Sequence, residues 1–401
     1  MSTKKINLNV NLMLSFIVFS MLLNSMSVII LQLSQNQQHS YTGLGMLEFF
    51  KDIPIALVSI FMVDYIKKRS YYSSLSIALI ICTLCSFTIP FVSEFWFLKI
   101  WFILIGISFS IGKICVFSII KNISDNEKDF SKTMSRTEAA FMLGVFIVNI
   151  EFAIILNSDY KDYWKFGFWL VGIISSWAAF QFYRIDKQNV YEIDKSHGKE
   201  VIDFRILFDY KSILFFTIVV IIVFTEQIFN SWLPTFYKHT LKADSFFALQ
   251  SSAFLALFSF IGRLLASKAV VKFSPMKIFF FCLISGIILT SSAYIIGQDT
   301  DLKVKILMFL FPMVGIFTAP LYPMLNSKYL SKFSERRVGK IVSIIILFTS
   351  LGGSIGSMST AYIFQKNLGN YYLLFATIPL ILILIFSTFF SIKEKISEYI
   401  K

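Results

Sequence analysis

The stretch LEFFKDIPIALVSIFMVDYI, residues 47–66, is apolar enough to cross a bilayer, yet Glu48, Lys51 and Asp52 lie within it almost side by side. A charge at bilayer depth costs roughly 2.5–3.5 kcal/mol on insertion scales and is kept where it faces a bundle interior or a wet cavity. Positions i, i+3 and i+4 share one helical face. The three side chains can therefore line one wall of a cavity, with Lys51 held between two carboxylates. The alternative is that Glu48 and Asp52 mark a helix N-terminus, where acids suit the macrodipole and headgroups are near.

Glu226 stands deep in a second apolar run, VVIIVFTEQIFNSW, with no charged residue beside it. A carboxylate removed from water favours its protonated form and can exchange protons near neutral pH. Gln227, Asn230 and Trp232 add hydrogen-bonding groups and an aromatic face for a polar solute. The alternative is a structural carboxylate paired with a basic residue of another helix. Lys113, in GISFSIGKICVFSII, either snorkels to the headgroups or pairs with Glu138 or Glu151. Glu138 is the better partner by depth, although it also suits a helix start after Ser135 and Thr137. Glu151 falls in the outer third of its helix.

These residues need membrane helices to position them, and the composition supplies them. The chain has 401 residues, 56% of them hydrophobic and 15% charged, with 46 Phe, against the roughly 45–50% apolar content of soluble domains. It reads as an integral membrane protein whose first partner is the lipid bilayer. The net charge of +13 does not point to nucleic acid, because Lys and Arg occur in short runs between apolar segments with no aromatic-interleaved basic patch. Cys82, Cys85, Cys115 and Cys282 all lie inside apolar segments, and Cys82-x-x-Cys85 reads as helix packing. His39, His197 and His239 are far apart in loops, so no metal site is expected. No phosphate loop or haem motif appears, so no cofactor is expected beyond a coupling ion. No His, Cys or Ser-Lys constellation has usable spacing, and the chain is not read as an enzyme.

A span needs about 20 apolar residues. Twelve fit, at about 8–33, 45–66, 73–92, 96–120, 138–157, 164–183, 212–234, 246–270, 276–296, 304–326, 339–363 and 371–391, with ends uncertain by about 2–4 residues. The first, preceded by Lys4 and Lys5, is too long for a signal peptide and lacks a small-residue cleavage site. With an even number of spans both termini share a side, and most of the 37 Lys and Arg fall in the loops of that side, making it cytoplasmic by the positive-inside rule. The long charged connection at 184–211 divides the chain into a bundle at 1–183 and a second at 212–401. Aligning helix 1 with helix 7 brings Asn24 to the depth of Glu226 and Gln227, as an internal repeat would.

Twelve helices as six plus six, a charged central loop and cytoplasmic ends resemble the major facilitator superfamily, over nearly the whole chain. Asp64-Tyr65-Ile66-Lys67-Lys68-Arg69 is similar to the family's loop after helix 2, keeping the acid and the basic run without the glycines. Gly262-Arg263-Leu264-Leu265-Ala266 looks like its counterpart at the end of helix 8, with Val271 where an acid would stand. The resemblance makes Asp64, Arg69 and Arg263 gating candidates, because such loops latch the two halves in one access state. Gly315-Ile316-Phe317-Thr318-Ala319-Pro320-Leu321-Tyr322-Pro323 and Leu351-Gly352-Gly353-Ser354-Ile355-Gly356 resemble the fucose-permease branch of proton-coupled sugar importers. The helix-4 carboxylate of that branch has no match between Leu98 and Ile120.

The resemblance implies an all-α membrane protein of two pseudo-symmetric six-helix bundles, multi-pass in a bacterial-type inner (plasma) membrane. It implies a secondary active transporter importing a small polar, sugar-like solute by alternating access, with H+ as coupling ion and a monomer sufficient. The solute or the proton would meet Asn24, Glu48, Lys51, Asp52, Lys113, Glu138, Glu151, Glu226, Gln227, Asn230 and Trp232. Siderophore, organic-acid or drug transport, including efflux, is the alternative. A non-transporting receptor or sensor is the remote one.

Overall fold

The computed structural model describes residues 3–35, 41–62, 65–66, 69–92, 94–187, 209–243, 245–297, 310–333, 335–366 and 368–399. Its helices run in chain order as α1 (Thr3–Asn24, resumed as Met26–Gln35), α2 (Tyr41–Phe61), α3 (Tyr71–Thr88), α4 (Phe95–Ile123), α5 (Glu127–Leu156) and α6 (Phe168–Lys187). Then follow α7 (Tyr210–Thr235), α8 (Ser245–Ala269), α9 (Pro275–Gly297), α10, α11 (Glu335–Gln365) and α12 (Tyr372–Tyr399). Helix α10 comes in pieces, Phe311–Met313, Val314–Thr318 and Leu321–Leu330. No strand occurs among the described residues.

Ten of the twelve contain a stretch long and apolar enough to cross a bilayer. That count is of the described residues alone, and 298–309, where the tenth apolar run begins, lie outside them. Helix α2 carries Glu48, Lys51 and Asp52 in one run, and α10 is interrupted by Pro312, Pro320 and Pro323, which remove backbone donors. Helix α2 also begins at Tyr41 and ends at Phe61, a few residues earlier than the apolar run suggests.

Packing partners repeat with a shift of six helices. In the first bundle α1 packs on α5, α2 on α4 and α3 on α6; in the second α7 packs on α11, α8 on α10 and α9 on α12. The contacts between bundles obey the same rule, α5 on α8 and α11 on α2. This is a pseudo-two-fold arrangement of two six-helix bundles. Close approach in the second bundle depends on Gly352 and Gly356 of α11. A Cβ at either would strike the backbone of α7, at Val220 and Phe224 respectively, the small-residue packing expected where lipid supplies no hydrophobic drive. Gly353 between them faces the interior near Asp52.

The polar termini of the helices are satisfied locally. Asn126 caps α5 by accepting from the Asp129 amide, with Glu127 and Asp129 in the first turn, where acids meet the positive end of the macrodipole. Ser70 caps α3 through the Tyr72 amide and donates to Asp186 at 2.6 Å, tying the start of α3 to the end of α6. The outer surface exposes large apolar side chains such as Phe61, Leu84, Ile154, Phe281 and Ile288, as a lipid-facing surface requires.

Candidate functional site between the two bundles

The break in α10 sets the geometry of the interior. Pro320 and Pro323 have no N–H, so the carbonyls of Ile316 and Ala319, one turn earlier, lose their usual helical donors. Both face α8. Gly262 abuts the Ile316 carbonyl so closely that a Cβ there would collide with it. Arg263 Nε donates to the Ala319 carbonyl at 2.9 Å. The Gly-Arg dipeptide of α8 thus fits the place where α10 has been opened.

From that anchor the Arg263 guanidinium reaches two carboxylates. Nη1 meets Glu138 Oε2 of α5 at 3.2 Å and the Glu138 carbonyl at 2.8 Å; Nη2 meets Glu226 Oε1 of α7 at 3.3 Å. Its side chain is 2% exposed, so the charge is buried and fully engaged. Ser135 Oγ donates in turn to the Arg263 carbonyl at 2.8 Å. Glu138 belongs to one bundle, Arg263 and Glu226 to the other, and a single cation therefore joins both halves.

Above this centre, on the side away from the chain termini, α2 supplies a second polar layer. Glu48 Oε1 accepts from Gln227 Nε2 at 3.1 Å and from Ser231 Oγ at 3.4 Å. Asp52 accepts from Ser354 Oγ of α11 at 2.8 Å and pairs with Lys51 at 3.7 Å. Lys51 is therefore paired with one acid, while Glu48 spends its carboxylate on the opposite bundle. A Cβ on Gly106 of α4 would collide with the Lys51 carbonyl, so the bare glycine lets α2 sit close enough to present this layer.

Between the layers lies a cavity of ≈ 180 Å³ lined on one side by Asn24, Lys113, Glu138 and Asn149 and on the other by Glu226, Gln227, Asn230 and Arg263. Phe16, Phe109 and Phe141 give it apolar walls. Towards the chain termini the bundles meet again, through Ser131 and Ser327 hydroxyls at 2.9 Å, Ser59 Oγ on the Ser343 carbonyl at 3.0 Å and Glu127 with Lys328 at 4.0 Å.

Most residues singled out from the sequence converge here. Asn24, Glu48, Lys51, Asp52, Lys113, Glu138, Glu226, Gln227, Asn230 and Arg263 line the cavity, and Asn24 also donates to the Ser20 carbonyl at 2.9 Å. Three do not belong to it. Glu151 lies off the cavity beside Gly167, with its Oε2 buried and unpartnered. Trp232 donates to Ser357 Oγ at 3.1 Å and stacks on Phe364, fastening α7 to α11. Arg69 is exposed and donates to the Tyr65 hydroxyl at 3.2 Å. Asp64 lies outside the described residues.

Lys113 neither snorkels nor forms an ion pair with Glu138 or Glu151, because Arg263 occupies Glu138 and Glu151 is elsewhere. Its ammonium lies 4.8 Å from the centre of the Tyr322 ring, 5.5 Å from Phe109 and 5.7 Å from Phe117, a cation–π cage. Ser231, Tyr322, Ser354 and Asn149 were not legible as site residues, since a lone hydroxyl or amide in an apolar helix gives no periodic signal. Among the described residues no three His, Cys, Asp or Glu side chains gather as a metal site would need.

The arrangement is a polar chamber between two pseudo-symmetric bundles, large enough for a small solute and lined by buried carboxylates. Known proteins share the fold. The family model of the Major Facilitator Superfamily matches residues 8–357. No curated protein matches the chain in sequence. Among solved structures, the E. coli fucose:proton symporter FucP aligns at TM-score 0.72 and 14% identity, over 95% of this chain and 98% of that one. The proton:xylose symporter XylE bound to 6-bromo-6-deoxy-D-glucose aligns at 0.70 and 16%, over 94% of each chain. An outward-facing bacterial homologue of the iron transporter ferroportin aligns at 0.71 and 12%, over 96% and 99%. At these identities the likeness is one of fold. The family model over residues 8–357, the ten membrane-length apolar helices among the described residues and the two pseudo-two-fold related bundles lead to one conclusion: the chain belongs to the Major Facilitator Superfamily and is a membrane transporter.

Proposed function

We propose that this transporter imports a small polar solute, sugar-like in chemistry, together with protons. The observation that carries the reading is the Arg263 bridge between Glu138 and Glu226 at the cavity. Arg263 ties the halves through Glu138 and meets Glu226 within its own bundle, so protonating Glu226 frees the guanidinium to lean on Glu138, and proton binding and the change of access share one set of contacts. Glu226 carries the coupling proton, because it faces the cavity and has Gln227 and Asn230 beside it for the solute. Size supports a small cargo: ≈ 180 Å³ is below the roughly 300–1,000 Å³ of sites for drug-sized ligands, which weighs against drugs and iron-loaded siderophores. The proton:sugar symporters among the similar structures agree with this reading.

The rest of the proposal follows the same logic. The halves are 1–183 and 212–401, joined by 184–211 on the cytoplasmic side, with both termini there and the protein in an inner (plasma) membrane. A monomer suffices, because the whole chamber forms within one chain. Organic-acid import is the second reading, favoured by Lys113, a buried cation at the cavity wall caged by aromatic rings rather than by an acid.

The test is external pH in a weakly buffered suspension of de-energised cells expressing the protein, with sugars and then hydroxy acids added singly. Alkalinisation with one sugar, absent in Glu226→Ala, supports proton–sugar symport. A signal only with acids, lost in Lys113→Gln, moves the second reading ahead. Silence with every solute, from protein shown to be folded in the membrane, rejects symport.

A further inference from the structure

Below the Arg263 centre, towards the chain termini, runs a line of buried polar atoms that the cavity does not explain. Glu138 Oε1, the Tyr322 hydroxyl and both amide atoms of Asn326 are shielded from solvent and make no direct hydrogen bond. Asn326 is 0% exposed. Tyr322 lies near both Lys113 and Asn326, one turn further along α10, in neither case with the geometry of a direct hydrogen bond. Just past Asn326 comes the Ser131–Ser327 hydroxyl contact, and after it the partly exposed Glu127–Lys328 pair.

Buried polar groups in native proteins are satisfied by protein or by ordered water. Polar groups that face one another beyond direct hydrogen-bonding reach are commonly bridged by water, and a buried water needs two to four polar partners. The groups here offer both donors and acceptors in sequence. A metal cation does not suit the place, since the Lys113 ammonium and the Arg263 guanidinium flank it.

We propose that these orphaned groups hold bound water, and that the chain Glu138–Tyr322–Asn326 carries the coupling proton between the central carboxylates and the terminus-bearing face, apart from the path of the solute. The proposal rests on the proton-symport reading. Each hop breaks one O–H bond and forms another on the bound waters and the Tyr322 hydroxyl, while the Asn326 carboxamide, which has no O–H, holds a water in line; a proton that enters at Glu138 leaves at the far end. Every group in between then returns to its original charge. The Ser131–Ser327 contact ties α5 to α10 at the far end of this line.

The test uses an isosteric pair at Asn326, a residue outside the solute cavity. Asn326→Thr keeps a hydroxyl, Asn326→Val has the same shape without one. Each variant is measured for sugar-driven alkalinisation, for sugar counterflow in proteoliposomes with L-fucose and D-xylose as probes, and for melting temperature in detergent. The expected result is that Val lowers alkalinisation by about tenfold or more while counterflow persists, Thr retains both, and Thr melts above Val because only Thr can partner the water. Wild-type coupling in the Val variant, or a Val variant that melts above Thr, shows a dry pocket and overturns the proposal. Equal loss in both variants shows a steric effect and overturns it too. If the wild type moves no protons with any sugar, the symport reading and the conduit both fall, while the melting order still decides whether the pocket is hydrated.

Discussion

Ser131 of α5 and Ser327 of α10 touch through their hydroxyls at 2.9 Å, although 196 residues separate them in the chain. The contact closes the end of the cavity nearest the termini, and alternating access requires it to open. A Ser131→Cys, Ser327→Cys pair should therefore cross-link under mild oxidation. Disulfides need Cβ atoms roughly 3.5–4.5 Å apart, and Cys82, Cys85, Cys115 and Cys282 are all buried and so leave a low background. Oxidation should stop solute flux and a reductant should restore it, read by uptake before and after dithiothreitol.

Arg263 is the residue the structure can least spare. Removing one member of a buried ion pair costs about 3–5 kcal/mol, and here one side chain serves two acids and two carbonyls. Arg263→Gln should lower the melting temperature sharply and abolish flux. Arg263→Lys keeps the charge but loses the planar fork, so it should recover part of the stability without recovering flux. Thermal unfolding in detergent and counterflow, measured on the same preparations, separate the two effects.

Glu226 and Glu138 share one cation but should fail differently. Glu226→Gln should keep solute counterflow and lose solute-driven alkalinisation, since exchange needs no net proton movement. Glu138→Gln removes both a tie between the bundles and the first group of the proposed conduit, and should slow exchange itself as well as lose alkalinisation. Parallel counterflow and pH records on the two variants decide the assignment, and equal behaviour would refute it.

Gly356 tests the fold rather than the chemistry. A Cβ there meets the Phe224 backbone, so Gly356→Val should force α7 and α11 apart. Overpacking typically costs about 1–3 kcal/mol. The expected result is a lower melting temperature, larger than that of Gly353→Ala, whose nearest neighbours lie 3.8 Å away.

Much of this architecture was legible in the residue order. Apolar length marked twelve helices, and charges inside α2 and α7 marked the cavity wall, because a buried charge in a membrane is expensive enough to need a reason. The partners were harder to read. Glu138 matched Lys113 in depth, yet it pairs with Arg263, because the pairing is set by the meeting of α5 and α8 across the bundles, and depth along a helix says nothing about azimuth. Glu151 had the right chemistry and the wrong face. Trp232 had an aromatic surface that α11 had already claimed through Ser357 and Phe364. The neutral hydroxyls of Ser231 and Ser354 were invisible, since only their acidic partners Glu48 and Asp52 give them a role.

The guanidinium of Arg263 seated on the carbonyl released by Pro323 makes α10 a lever with its fulcrum inside the charge centre. Straightening or bending that helix moves the Ala319 carbonyl, and with it the arm that spans Glu138 and Glu226. Mechanical work on the helix and electrostatic work on the two acids thus pass through one side chain. A ligand that flexes α10 from the cavity side would pull on the proton site without touching it.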